Sequence, residues 1–200
     1  MTRPVLQLLF AICAATLAAC ASTSLRDSWT DPAFTGGPFR KVMVVGISAN
    51  STNRRVFEDS FSARLAAVGV EAVRSYELMP QTGIISKEDF DAAARRSGAD
   101  GLLVVHVNRV ETRTQVTNVT VPVTSRGFYG FYRGWATVPD VTQYDLATVE
   151  TNLFDVGSDR LVWSGITETM NPTSVAAETP GFADVIIKAL TARGLLPKPK

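Results

Sequence analysis

The chain has 200 residues, of which 46% are hydrophobic and 20% charged, and a formal net charge of +1. This is ordinary globular composition for one domain. It lacks the basic footprint of a nucleic-acid binder, so no nucleic-acid partner is expected. Two cysteines, Cys13 and Cys20, and one histidine form no Cys/His cluster. That excludes the usual structural zinc sites, and neither a metal nor a cofactor is expected.

Residues 1–19 read as a signal peptide: Arg3, then an apolar stretch from Val5 to Ala19, then small residues. The stretch is too short for a comfortable membrane-spanning helix, which needs ~20 apolar residues. Cys13 lies inside it and would be lost on processing. The run Leu17-Ala18-Ala19-Cys20 resembles the lipobox of bacterial lipoproteins. That resemblance implies cleavage before Cys20 and acylation of Cys20, by palmitate or similar chains, as the membrane anchor. More than one acyl chain holds a protein firmly where a single chain does not. Ala21 and Ser22 follow where an Asp would resemble an inner-membrane retention signal, so the expected address is the outer membrane, facing the periplasm.

Residues 20–39 read as a lipid-anchored tether, rich in turn formers such as Asp31-Pro32 and Gly36-Gly37-Pro38. Trp29 and Phe34 interrupt it, and the expectation is that they pack back on the domain. Residues 40–194 read as a single periplasmic domain. Its first strand is the apolar β-branched run Lys41–Ile47. A helix follows, capped near Asn50–Asn53 and carrying Phe57, Phe61 and Leu65 at helical spacing. Gly69 stops it. Val70–Ser75 is a second strand, Leu78–Ile85 a loop. Ser86 and Asp89 resemble a capping box for a helix over Lys87–Ser97. Leu102–Val107 is a third buried strand. From Asn108 the pattern alternates: Asn108–Thr124, Val141–Phe154 and Arg160–Met170 predict an antiparallel meander. A last helix is predicted over Pro180–Arg193, with Gly194 after it, and residues 195–200 as a frayed tail. The expected fold is α/β with an α+β tendency. A mixed sheet has a parallel β-α-β-α-β first half, an antiparallel meander and a C-terminal helix, with the Lys41–Ile47 strand central.

Ser28-Trp29-Thr30-Asp31-Pro32, Lys41-Val42-Met43-Val44-Val45-Gly46, Arg54-Arg55-Val56-Phe57-Glu58-Asp59, Ser75-Tyr76, Asp100-Gly101 and Trp163-Ser164-Gly165 are similar to motifs of an uncharacterised bacterial lipoprotein family. The element order also looks, more distantly, like the amino-terminal domain of TolB, the curli-secretion lipoprotein and the lipoproteins that activate penicillin-binding proteins. These resemblances imply an envelope interaction module rather than an enzyme. Fold analogy does not carry function.

Three places invite a functional reading. Asn53, Arg54 and Arg55 open the first helix beyond a central strand, where α/β folds bind anions. The alternative is an ordinary capped helix in which Arg55 pairs with Glu58 or Asp59. His106, with no oriented partner in sequence, reads as a strand residue, and Asp145, Glu150 and Glu168 cannot be brought together from sequence. No catalytic residue is assigned and no enzyme is expected. The segment Arg126–Trp135 interleaves aromatics with glycine. Phe128, Tyr129, Phe131, Tyr132, Arg133 and Trp135 are residue types enriched at binding hot spots and at membrane interfaces. They read either as an interaction surface or as a hairpin loop folded back on the sheet, with stacking on glycan rings a third option. The expected role is a lipid-anchored, non-enzymatic accessory module with an envelope protein partner or a homo-oligomeric state. The alternative is a module binding a small ligand or glycan. Cys20→Ser is expected to abolish metabolic labelling with palmitate; a labelled Cys20→Ser protein floating with outer membranes would refute the lipobox reading.

Overall fold

The computed structural model describes residues 23–80, 86–122 and 135–198. Ten elements follow in chain order. They are β1 (Thr23–Thr30), β2 (Lys41–Ile47), α1 (Ser51–Ala67), β3 (Glu71–Arg74), α2 (Ser75–Leu78) and α3 (Lys87–Ser97). Then come β4 (Gly101–Pro122), β5 (Trp135–Asp155), β6 (Arg160–Met170) and α4 (Val175–Ala192). The strands form one mixed sheet in the order β1-β6-β5-β4-β2-β3. β2 pairs in parallel with β3 and β4, as β-α-β crossovers require, and the remaining pairs are antiparallel. The α/β fold with a parallel first half, a meander and a C-terminal helix is therefore observed, with β2 between β3 and β4.

Side chains alternate across the strands and so feed two cores. Val42, Val44, Leu103, Val149 and Trp163 point to the face covered by α1 and α4, where Phe61, Leu65, Phe182 and Ile186 meet them. Met43, Val45 and Leu102 point the other way, against Met79, Ala93 and Ala94. Each large side chain fully withdrawn from water contributes about 1.5–3 kcal/mol. The larger cluster therefore dominates stability. Helix α3 reaches the second face of β5 only at Phe154; over the rest of β5, and over β6 and β1, no helix among the described residues covers that face, which carries Glu150, Asn152, Ser164 and Glu168.

Leu102–Val107 and the stretch from Asn108, read as separate strands, run together in the single strand β4. Three further expectations change. First, the stretch read as a tether contains β1, an edge strand paired with β6 from Thr23↔Thr169 to Thr30↔Trp163. Its polar alternation hid it, because an edge strand with one wet face buries only residues such as Leu25. Asp31 then forms an ion pair with Arg160 and accepts from the Ala33 amide at 2.9 Å, so Asp31-Pro32 is a turn closing the sheet's edge. Phe34 stacks on Phe39 at 5.6 Å, but Trp29 is 48% exposed rather than packed on the domain. Second, α4 starts at Val175, five residues before Pro180. Ser174 caps it, accepting from the Ala177 amide at 3.2 Å. Proline this near the helix start removes one internal bond and is tolerated when packing holds the turn. Third, the tail read as frayed begins with two buried residues, Leu195 and Leu196. Gly194, at φ 73°, turns the chain so that the Leu195 amide reaches the Leu190 carbonyl at 2.9 Å. This is the reversal that drives an apolar residue back onto a helix end.

The β4–β5 hairpin outruns the sheet. β4 leaves β2 after Ile47↔His106, and β5 meets β6 only from Leu146↔Met170 onward. From Thr112↔Asp145 to Pro122↔Trp135 the two strands have no other strand partner among the described residues, over eleven rungs or roughly 35 Å. Asn171, at φ 48°, marks the boundary: its Oδ1 accepts from the Asp145 amide at 3.0 Å, and its own amide donates to the Asp145 carbonyl at 2.7 Å.

Gly165 is dictated by its neighbour. A Cβ there would lie 2.2 Å from Cη2 of Trp163, a fully buried side chain. Gly165→Ala is expected to force that indole out of place and to lower stability by about 1–3 kcal/mol in urea unfolding. An unchanged midpoint would show that the core at Trp163 is loose.

Candidate functional site

The helix start proposed as an anion site is organised around a buried carboxylate. Asn50 caps α1, its Oδ1 accepting from the Asn53 amide at 3.0 Å. One turn on, Arg54 and Glu58 lie four residues apart on the same helix face and are both buried. Arg54 Nε donates to Glu58 Oε1 at 3.0 Å, and Arg54 Nη2 donates to Ser75 Oγ at 2.7 Å. The Ser75 hydroxyl in turn donates to Glu58 Oε1 at 2.6 Å. Two backbone amides complete the set: Gly46 donates to Oε1 at 3.1 Å and Tyr76 to Oε2 at 3.0 Å. A buried charge is tolerable only when paired and hydrogen-bonded in this way.

Of the three residues singled out from sequence, Arg54 thus faces the protein's own carboxylate. Asn53 contributes its amide to the cap. Arg55 lies over the Tyr76 ring, 5.5 Å from its centroid, instead of pairing with Glu58 or Asp59. Asp59 accepts from the Tyr76 hydroxyl at 2.7 Å, which pushes the phenol's pKa above its ordinary value. Sequence reasoning assigned the surface pair to Arg55 and missed Ser75. The signal for Arg54–Glu58 was present as an i,i+4 pair, but its burial depends on the junction between β3 and α2.

Beside this cluster a cleft of about 470 Å³ opens at the carboxyl end of β2. Its floor is Val105, Val107 and Val110 of β4 with Ala147 and Val149 of β5. Its walls are Ile47 and Phe57 on one side and Val175, Thr179 and Phe182 of α4 on the other. The size is that of a small-molecule site, and the lining is mainly apolar. Glu178, on its wall, accepts from the Thr173 amide at 2.9 Å and the Thr173 hydroxyl at 3.0 Å. Gly46 also bounds the cleft, because a Cβ there would lie 2.8 Å from Cδ1 of Phe57.

The remaining polar candidates are dispersed. His106 is exposed, its Nδ1 3.0 Å from Asn108 Oδ1, on the sheet face opposite the cleft. Asn152, and after it Asn108, donates to Glu150 and holds its carboxyl below the usual range. Glu168 pairs with Arg26, and Asp145 accepts from Thr112 at 2.7 Å. These carboxylates do not converge. Among the described residues no group of three or more His, Cys, Asp or Glu stands where it could hold a metal ion. Cys20, Phe128, Tyr129, Phe131, Tyr132 and Arg133 lie outside the described residues, and Trp135 is described only as the first residue of β5.

No family model matches the sequence, and no curated protein matches it. Among solved structures, the chain is similar to the PelC dodecamer from Paraburkholderia phytofirmans, with 16% identity and a TM-score of 0.46 over 88% of this chain and 100% of that one. It is also similar to lipoprotein GNA1162 from Neisseria meningitidis, with 14% identity and a TM-score of 0.39 over 76% of this chain and 96% of that one. At these identities and scores the likeness gives this chain no role.

The buried ion pair makes a sharp energetic prediction. Arg54→Met removes the cation beside the buried Glu58 carboxyl and is expected to lower stability by about 3–5 kcal/mol in urea unfolding. Adding Glu58→Leu should recover only part of that loss, since the Gly46 and Tyr76 amides then lack their acceptor. Full recovery in the double variant would show that the two amide bonds contribute nothing.

Proposed function

We propose that this protein is a lipid-anchored, non-enzymatic interaction module of the cell envelope, held through Cys20 at the outer membrane and facing the periplasm. The working element is the two-stranded ribbon of Thr112–Pro122 and Trp135–Asp145 together with the aromatic–glycine residues 126–135 that lie between its strands in sequence. One observation carries the reading. Eleven rungs of hairpin stand beyond the sheet, and among the described residues no third strand lies on either edge. A two-stranded hairpin is at best marginally stable in water, and an open edge is a template for another strand. The ribbon also exposes apolar side chains on both faces. Val116 opposes Val141 on one and Val119 opposes Val138 on the other, and Val116 and Val141 are 63% and 59% exposed. Such an element gains its order by strand addition to a partner, with the backbone giving affinity and alternate side chains giving selectivity. An envelope protein or a second copy of this chain meets that requirement.

Replacing residues 112–145 by Asn-Gly would join Glu111 to Leu146, which already oppose each other, through a two-residue turn. The shortened protein is expected to keep its thermal midpoint within a few degrees. It should lose the protein that crosslinks to the intact chain in cells. Undiminished crosslinking by the ribbonless protein would refute the role given to this element.

A further inference from the structure

The cleft lies at the end of the sheet from which the chain's amino-terminal segment departs. β1 runs antiparallel to β6, so Thr23 sits where β6 ends and opposite Thr169. The two hydroxyls are 2.8 Å apart, and Thr169 lines the cleft. Cys20 is three residues before Thr23, within a reach of about 10 Å of extended chain. The wall chemistry specifies the occupant. Its two charged residues are both engaged: Arg54 with Glu58 and Ser75, and Glu178 with Thr173. A charged ligand would find its counter-charge already satisfied. The mouth is apolar, with Ile47, Val107 and Val110 each about half exposed or more, at 54%, 49% and 62%. A hydrocarbon chain removes that surface from water without leaving a polar group unpaired.

We propose that the cleft between α1, α4 and the β4–β5 floor holds one acyl chain carried on Cys20 of the same molecule. The inference rests on the lipoprotein reading of Cys20. Attachment three residues from β1 makes the event intramolecular, with an effective concentration that a free lipid does not match. The volume suits one chain, so the remaining acyl groups stay in the membrane.

The full chain is expressed with a photoactivatable p-benzoylphenylalanine at position 107, at 110 or, on the opposite sheet face, at 166. Cells are fed an alkyne fatty acid, irradiated, and the peptides mapped by mass spectrometry. The expected result is an adduct joining the acylated Cys20 peptide to positions 107 and 110 and not to 166. The two cleft positions back each other up, and both side chains are exposed enough to be replaced without unfolding. If Cys20 carries acyl groups but the probes capture phospholipid, another protein or nothing, this inference is overturned alone. If the Cys20 peptide carries no acyl group, the lipoprotein reading falls and this inference falls with it.

Discussion

Everything at the upper end of the sheet hangs on the Glu58 carboxylate. It receives the Gly46 amide at the end of β2, the Tyr76 amide and Ser75 hydroxyl after β3, and Arg54 from its own helix. Three elements are thereby tied at one point. The backbone has few ways of satisfying amides where parallel strands end, and a buried carboxylate supplies acceptors in two directions. The arrangement places Phe57 of α1 beside Gly46, and those two residues form one wall of the cleft. A change at Glu58 therefore reaches the cleft through packing.

The sheet is unequal along its width. Around β2 it is covered on both faces, which is why Val42–Val45 read as a continuous apolar run. Toward β1 one face keeps its core, with Trp163 buried against α4 residues, while the other carries Glu150, Asn152 and Glu168. Beyond Asp145 neither face is covered by any described residue. This gradient moves a chain of one domain from a packed core to a bare ribbon within a single pair of strands. The long strands need no break, because Asn171 ends β6 while β4 and β5 continue.

Three features share one end of the molecule: the start of β1, the cleft and the base of the ribbon. In the functional reading proposed above, anchor and interaction element therefore act from the same side. The opposite end is closed by turns. Asp100 accepts from the Arg40 and Lys41 amides, and Asp155, the last residue of β5, accepts from the Ser158 amide in the turn to β6. The motifs that carry the resemblance to a lipoprotein family fall on residues that hold elements together: Asp31, Glu58, Ser75 and Asp100 where elements meet, and Trp163 with Gly165 in the core packing of β6. They build the scaffold.

The sequence by itself determined the elements whose signals are local. Val42–Val45, the spacing of Phe57, Phe61 and Leu65, and the Ser86 cap with Gly98 each follow from periodicity or capping chemistry. It also pointed to the parallel first half, since parallel neighbours need a crossover and the intervening helices supply one. Tertiary structure decided the rest, because the deciding contacts are far apart in sequence. β1 exists because Thr23–Thr30 meets β6 more than a hundred residues later. Arg54 and Arg55 look alike in sequence, and only the position of Ser75 and Gly46 buries one and leaves the other on the Tyr76 ring. The extent of the ribbon was hidden for a related reason. Alternating Thr and Val residues signal a strand, but whether a third strand pairs with it depends on where β6 stops.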